Sequence, residues 1–183
     1  MQFDAPCIET GRLLLRVQRI EDFERFAEMM AHESARFIGG PSLRGDAWRR
    51  FLQMPGAWVL QGFGMFALID KTTGRYLGQA GPWHPDGWPG TEIGWSLHPD
   101  ARGKGYGAEA AAATMDYAFD VLGWERVVHS IASDSEASRK VAQRLCSRYL
   151  GPARMPPPLD TLDVELWGQT REEWRARRAG GTA

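Results

Sequence analysis

The chain has 183 residues, 43% of them apolar and 25% charged, with a formal net charge of -1. That length suits one domain with a real core, the charge balance gives no basic surplus for nucleic acid, and no apolar run approaches the ~20 residues of a membrane span. The opening, Met1 to Cys7, lacks the basic and apolar regions of a secretory signal, and the distant Cys7 and Cys146 show no metal-ligand spacing, so a reduced, cytoplasmic setting without a metal is expected.

Leu13 to Gln18 reads as a strand, and Ile20 to Ala31 as an amphipathic helix with Phe23, Phe26, Ala27 and Met30 on one stripe. Ala47 to Gln53 reads as a second, short helix stopped by Pro55-Gly56. Met65 to Asp70 and Arg75 to Gly81 form a hairpin that turns through Lys71-Thr72-Thr73-Gly74. Pro82 to Gly90 is a shaped loop, and Glu92 to Leu97 is the next strand. An alanine-rich helix ending at Gly123 carries Ala108, Ala111, Ala112, Met115, Ala118, Phe119 and Leu122 at three-and-four spacing. Val127 to Ala132 is a buried strand, after which Ser133 and Glu136 form a capping-box pattern for a helix to about Arg148. Gly151 to Pro158 is a connection, Asp163 to Gly168 the last strand and Arg171 to Arg178 a charged terminal helix. These elements allow a mixed sheet flanked by helices, in a single domain over residues 1–183 with its ordered core at about 9–178.

The stretch from Leu97 to Ala110 carries the most chemistry. Gly103, Gly105 and Gly107 alternate between a strand and a helix, where they let the backbone come close to a ligand. The amides of the helix's first turn lack intrahelical acceptors and suit an anion, most naturally a pyrophosphate, with Arg102 and Lys104 adding charge. A kinase-type phosphate loop needs Ser or Thr after Gly-Lys, but Gly105 and Tyr106 follow Lys104. A dinucleotide fold wants Gly-x-Gly-x-x-Gly and an acidic residue after the next strand. Here Ala108 takes the last glycine's place and Ser133-Asp134 is a loose match, so a pyridine-nucleotide enzyme fits poorly.

The pattern Arg102-x-x-Gly105-x-Gly107 instead resembles the acetyl-coenzyme A loop of the GNAT family of N-acetyltransferases. With Ala108-Glu109-Ala110 behind it and Glu9-Thr10-Gly11-Arg12-Leu13-Leu14-Leu15-Arg16 at the start, the chain is similar to the ribosomal-protein N-terminal acetyltransferase branch, from Glu9 to about Trp174. The resemblance implies an α/β (α+β) fold whose mixed, mostly antiparallel sheet has about seven strands. It also implies acetyl-coenzyme A as co-substrate, a primary amine as acceptor and direct attack in a ternary complex. Arg102, Gly103, Lys104, Gly105, Tyr106, Gly107 and Ala108 would hold the pyrophosphate. The strand ending at Leu97 would splay from the one ending at Ala132, with the pantetheine arm between them on the backbone of Trp95, Ser96 and Leu97. Pairing into a homodimer through the carboxyl-terminal strands is a further implication, although Leu162, Val164, Leu166 and Trp167 could equally pack inside one subunit. No nucleic acid or membrane partner is expected.

Acetyl transfer to an amine needs an anchored cofactor, a polarised carbonyl, a base for the ammonium and an acid for the leaving thiolate. Glu92 opens Glu-Ile-Gly-Trp-Ser-Leu, which resembles the family's Glu-Ile-Gly-Tyr-x-Leu strand, and is the candidate base; a solvated strand-end carboxylate is the plain alternative. His84 and His98 are alternatives as proton carriers because imidazole is the side chain suited to that role, with His98 read as structural and His84, flanked by Trp83 and Pro85, as a weak candidate. Many family members donate the proton from a tyrosine in Asn-x-x-Ala-x-x-x-Tyr. Ala142 stands in that tyrosine's place and Ser135 in that of the asparagine, where it joins the cofactor-binding set. Ser138 matches a serine of the ribosomal branch and is favoured over Tyr149 as donor, against a helix-surface serine without a role. Cys146 reads as a buried, inert helix cysteine. Phe37, Trp48, Phe63, Phe66, Trp83 and Trp88 are candidates for an aromatic acceptor wall. The missing tyrosine keeps open a non-catalytic acyl-coenzyme A sensor on the same fold.

Overall fold

A computed structural model describes residues 6–180; residues 1–5, part of the segment read as lacking a secretory signal, lie outside it. Among the described residues, eight strands form one sheet. In chain order they are β1 (Cys7–Glu9), β2 (Leu13–Arg16), β3 (Phe66–Asp70), β4 (Tyr76–Trp83), β5 (Glu92–Leu97), β6 (Arg126–Ala132), β7 (Arg148–Ala153) and β8 (Val164–Thr170). Their spatial order is β1-β2-β3-β4-β5-β6-β8-β7. Every pair is antiparallel except β5 and β6, which run parallel and meet at a single register point, Glu92 opposite Val128. Beyond that point the two strands part.

The helices are α1 (Phe23–Ala31), α2 (Arg44–Gln61), α3 (Tyr106–Asp120), α4 (Glu136–Arg144) and α5 (Arg171–Ala179). On one face of the sheet, α1 and α2 bury Phe26, Met29, Met30 and Phe51 against Ala67, Ile69 and Tyr76. On the other face, α3 presses Ala110 toward Leu13, Leu15, Phe66 and Leu68, and lays Ala111, Met115 and Phe119 against Ile93, Val127 and Trp174. The small alanine side chains let the α3 backbone lie close to the sheet. No helix among the described residues is long and apolar enough to cross a membrane.

Four local expectations need correcting. First, α2 does not stop at Pro55 but runs through it. A proline there forfeits one helical hydrogen bond and crowds the carbonyl of Phe51, at a cost of about 3 kcal/mol. The buried stripe Ala47, Phe51, Met54, Ala57 and Trp58 offsets it, and the Trp58 indole donates to Met65 O at 3.0 Å. Second, α4 begins after Ser135 rather than Ser133 and ends at Arg144; the Ser133 hydroxyl donates to Asp163 instead. Third, β7 lies where the end of α4 and a connection were expected, and with β1 it brings the sheet among the described residues to eight strands, in keeping with the mostly antiparallel sheet of about seven. Fourth, Cys146 is exposed, in the left-handed region just past α4.

Candidate active site

The loop between β5 and α3 is shaped by its glycines. Gly103 (φ 74°) and Gly105 (φ 84°) hold left-handed conformations that other residues adopt only with strain. None of the amides from Gly103 to Ala108 donates to an acceptor among the described residues. They form a row of free donors at the start of α3, where its dipole is positive.

The loop is braced from the far end of the chain. Arg12 donates to Lys104 O (2.8 Å) and to Glu109 (2.7 Å), and its guanidinium lies 4.5 Å from the Tyr106 ring centre. Thr10 donates to Glu109 at 2.6 Å, and the Tyr106 hydroxyl to Asp70 at 3.0 Å. The two cations expected to face a pyrophosphate are otherwise engaged. Arg102 reaches back to Leu97 O (2.9 and 3.1 Å), and Lys104 bonds Asp100 O (2.9 Å).

At the parting of β5 and β6, the His98 amide donates to Leu77 O on β4. Alternation along the strand therefore turns the main chain of Ser96 toward β4 and those of Ile93, Trp95 and Leu97 toward the gap. This corrects the expectation for Ser96, which offers the gap no main-chain group; its side chain instead lines the adjoining cavity. Of the gap-facing carbonyls, Leu97 O is held by Arg102 and Ile93 O accepts from His129 Nδ1 at 2.7 Å. Trp95 is left facing the gap.

His129 was not singled out in the sequence, yet it wedges this opening. It is 1% exposed, its other nitrogen accepts from Ser147 (2.9 Å), and its ring lies 4.9 Å from that of Trp95. Burial pushes its pKa down to about 4, so the ring is neutral at pH 7. The available signal was a histidine in the middle of β6, among Val127, Val128 and Ile131.

A cavity of about 420 Å³ extends from this gap across the α1/α2 face of the sheet. Glu92 sits in it, only 6% exposed, and accepts from the Trp88 indole at 2.6 Å. Burial pushes its pKa up to about 7, against the opposing pull of Ser130 and Trp88. The Ser130 hydroxyl lies beside the carboxyl but makes no hydrogen bond of standard geometry. Gly94 keeps the space open: a Cβ built there would stand 3.0 Å from Glu92 Oε1. The reading of Glu92 as a solvated strand-end carboxylate is thereby corrected.

Ser135 and Ser138 line the same cavity from the start of α4, and the Ser135 hydroxyl donates to Ser138 Oγ at 3.1 Å. Ser138 keeps its own proton free to give. Tyr149 is exposed on β7 and outside the cavity, and Ala142 is fully buried. His84 is exposed and also outside the lining, whereas His98 bonds Asp100 (2.9 Å) and Glu28 (3.3 Å) and shapes the turn after β5. Of the aromatic wall, Phe37, Trp83 and Trp88 line the cavity. Phe66 is core, Phe63 packs on Trp124, and Trp48 lies on Phe23.

The Acetyltransferase (GNAT) domain model matches residues 12–146. The protein YkkB of Bacillus subtilis (strain 168) is 33% identical over 93 residues, 49% of this chain and 54% of YkkB. The chain spans about half the length of the curated relatives it matches. An acetyltransferase from Agrobacterium tumefaciens has a similar crystal structure, with a TM-score of 0.83 and 29% identity over 93% of this chain and 98% of that one. A ribosomal-protein-S5-alanine acetyltransferase from Vibrio fischeri shares the fold, with a TM-score of 0.71 at 20% identity over 92% and 98% of the two chains.

Proposed function

The chain belongs to the GNAT acetyltransferase family, and on that premise we propose that residues 1–183 form one acetyl-coenzyme A-dependent N-acetyltransferase domain acting on a primary amine. The acceptor is a protein amino terminus or a small molecule. One observation carries the reading: six amides, from Gly103 to Ala108, without a partner among the described residues, lie at one end of a strand gap whose other end holds a buried carboxyl tuned near neutrality.

In this reading the loop amides bind the pyrophosphate, and the brace from Thr10 and Arg12 to Glu109 fixes their direction. The gap-facing amide of Trp95 or Leu97 polarises the thioester carbonyl. Glu92 takes the proton from the ammonium, directly or through a water. A carboxyl of pKa about 7 is half ionised at neutral pH and matched to an amine whose own pKa is near ~8. As the amine nitrogen bonds the acetyl carbon and the carbon–sulfur bond breaks, Ser138 gives its proton to sulfur. It is re-protonated through Ser135 or solvent.

A sensor that binds acyl-coenzyme A without turnover is the second reading, favoured by the fully buried Ala142 in the usual tyrosine's place. Titration with acetyl-coenzyme A followed by thioester consumption against a panel of amines separates the two. Uptake with turnover supports the enzyme, and uptake without turnover supports the sensor. No uptake at millimolar concentration refutes both.

A further inference from the structure

The cavity carries polar groups both on the sheet and on α2. Its floor offers acceptors: Glu92, and Gln79 Oε1, which is buried without a hydrogen-bond partner among the described residues, on a side chain only 5% exposed. Both residues lie on the sheet face toward α1 and α2, because Gln79 pairs with Ser96 and Trp83 with Glu92 across β4 and β5. Its α2 wall offers a donor. Arg50 is the one lysine or arginine among the described lining residues, which otherwise carry the acids Asp86 and Glu92.

Arg50 is half-buried and makes no ion pair among the described residues. Its Nη1 donates to Ile38 O at 3.0 Å, which leaves most of its donors unused. The guanidinium also has a made seat. Gly39 holds φ 79° beneath it, and a Cβ built at that position would stand 2.8 Å from Arg50 Nη2. Burial pushes the Arg50 pKa down, opposed by the charge of Asp46 one turn earlier on α2, and a desolvated guanidinium that no carboxylate bonds is costly unless an anion completes it. Phe26, Met30, Phe37 and Trp83 line the same cavity.

We propose that the acceptor is a primary amine that also carries a carboxylate, bound with its ammonium toward Glu92 and Gln79, its apolar body along the aromatic wall and its carboxylate on Arg50. This rests on the acetyltransferase reading and names its substrate class. The carboxylate belongs either to a compact aromatic or aliphatic amine or to an acidic residue near a peptide's amino terminus.

Matched acceptors with nearly equal amine basicity test it, with the full chain at saturating acetyl-coenzyme A. One arm compares 4-(2-aminoethyl)benzoate with 4-(2-aminoethyl)benzamide. The other compares the tripeptide amide Ala-Asp-Ala with Ala-Asn-Ala. The charged member should be preferred roughly 10- to 100-fold in kcat/KM in one arm, as expected of a charge-assisted bond to a buried cation. The arm that responds identifies the source. Arg50→Gln should bring that ratio to about 1 with acetyl-coenzyme A affinity unchanged. If Arg50 merely holds the turn at Ile38, the substitution slows both members equally and the ratio survives, which overturns the proposal. Turnover of all four compounds without a preference sinks this inference alone. Turnover of other amines in the panel but of none of these four also sinks this inference alone, and absence of turnover with every amine sinks it together with the enzyme reading.

Discussion

Replacing Glu92 by glutamine should slow the enzyme and stabilise the protein at once, and the two effects can be sized separately. Burial moves the carboxyl pKa from 4.5 to about 7, and at about 1.4 kcal/mol per pKa unit ionisation in the fold costs roughly 3 kcal/mol. Because the folded pKa is the higher one, the native state holds the extra proton between pH 4.5 and 7. The associated stability is present below pH 4.5 and lost as pH rises through about 7. His129 runs the other way. Its folded pKa of about 4 lies below the ordinary 6.5, so its contribution is lost as pH falls from 6.5 toward 4. Both proteins share His129, so the difference between wild type and Glu92→Gln isolates the carboxyl. Thermal unfolding should show Tm raised by roughly 5–10 °C at pH 8 and little changed at pH 4.5. Over the same range kcat should fall by ~10²–10⁴, and the wild type's rise in rate through pH 7 should flatten. A Tm difference that does not vary with pH would refute the burial argument, and unimpaired turnover would refute the assignment of Glu92 as base.

Three further changes probe other parts of the structure. Ser138→Ala should lower kcat about tenfold while leaving the KM for acetyl-coenzyme A unchanged, in steady-state assays at saturating amine. Gly105→Val, placed where φ is 84° and a Cβ would stand 3.3 Å from Arg12 Nη2, should weaken acetyl-coenzyme A binding by calorimetry about tenfold or more, with kcat at saturation far less affected. Pro55→Ala restores an amide to the interior of α2 and should stabilise the protein by about 1–3 kcal/mol in chemical denaturation, without touching acetyl-coenzyme A affinity.

How far the sequence could be read differs by element. Glu92 to Leu97 is a strand with the expected bounds, and the expected helix after the glycine loop is α3. Both follow from short-range rules, in which side-chain period and glycine conformational freedom act within a few residues. The length of α2 was not legible, because what carries it past Pro55 is burial against α1 and the sheet, contributed by residues distant in sequence. Ser133 has the local pattern of a cap, but a hydrogen bond to Asp163 claims it. Ser96 was assigned a main-chain role because strand phase depends on pairing with β4, which the sequence does not state.

The amino-acid order by itself thus determined the glycine loop, its free amides and the carboxylate six residues before the turn, since these are properties of adjacent backbone. Only the tertiary structure decided what Glu92 is chemically, because its pKa is set by burial, which raises it, against the hydrogen bonding of Ser130 and Trp88, which lowers it. It also decided that Arg50 and Gln79 face one cavity and that Thr10 and Arg12 grip Glu109. Those partners are separated by 29 to 99 residues, and solvent exclusion and electrostatic contact act through space rather than along the chain.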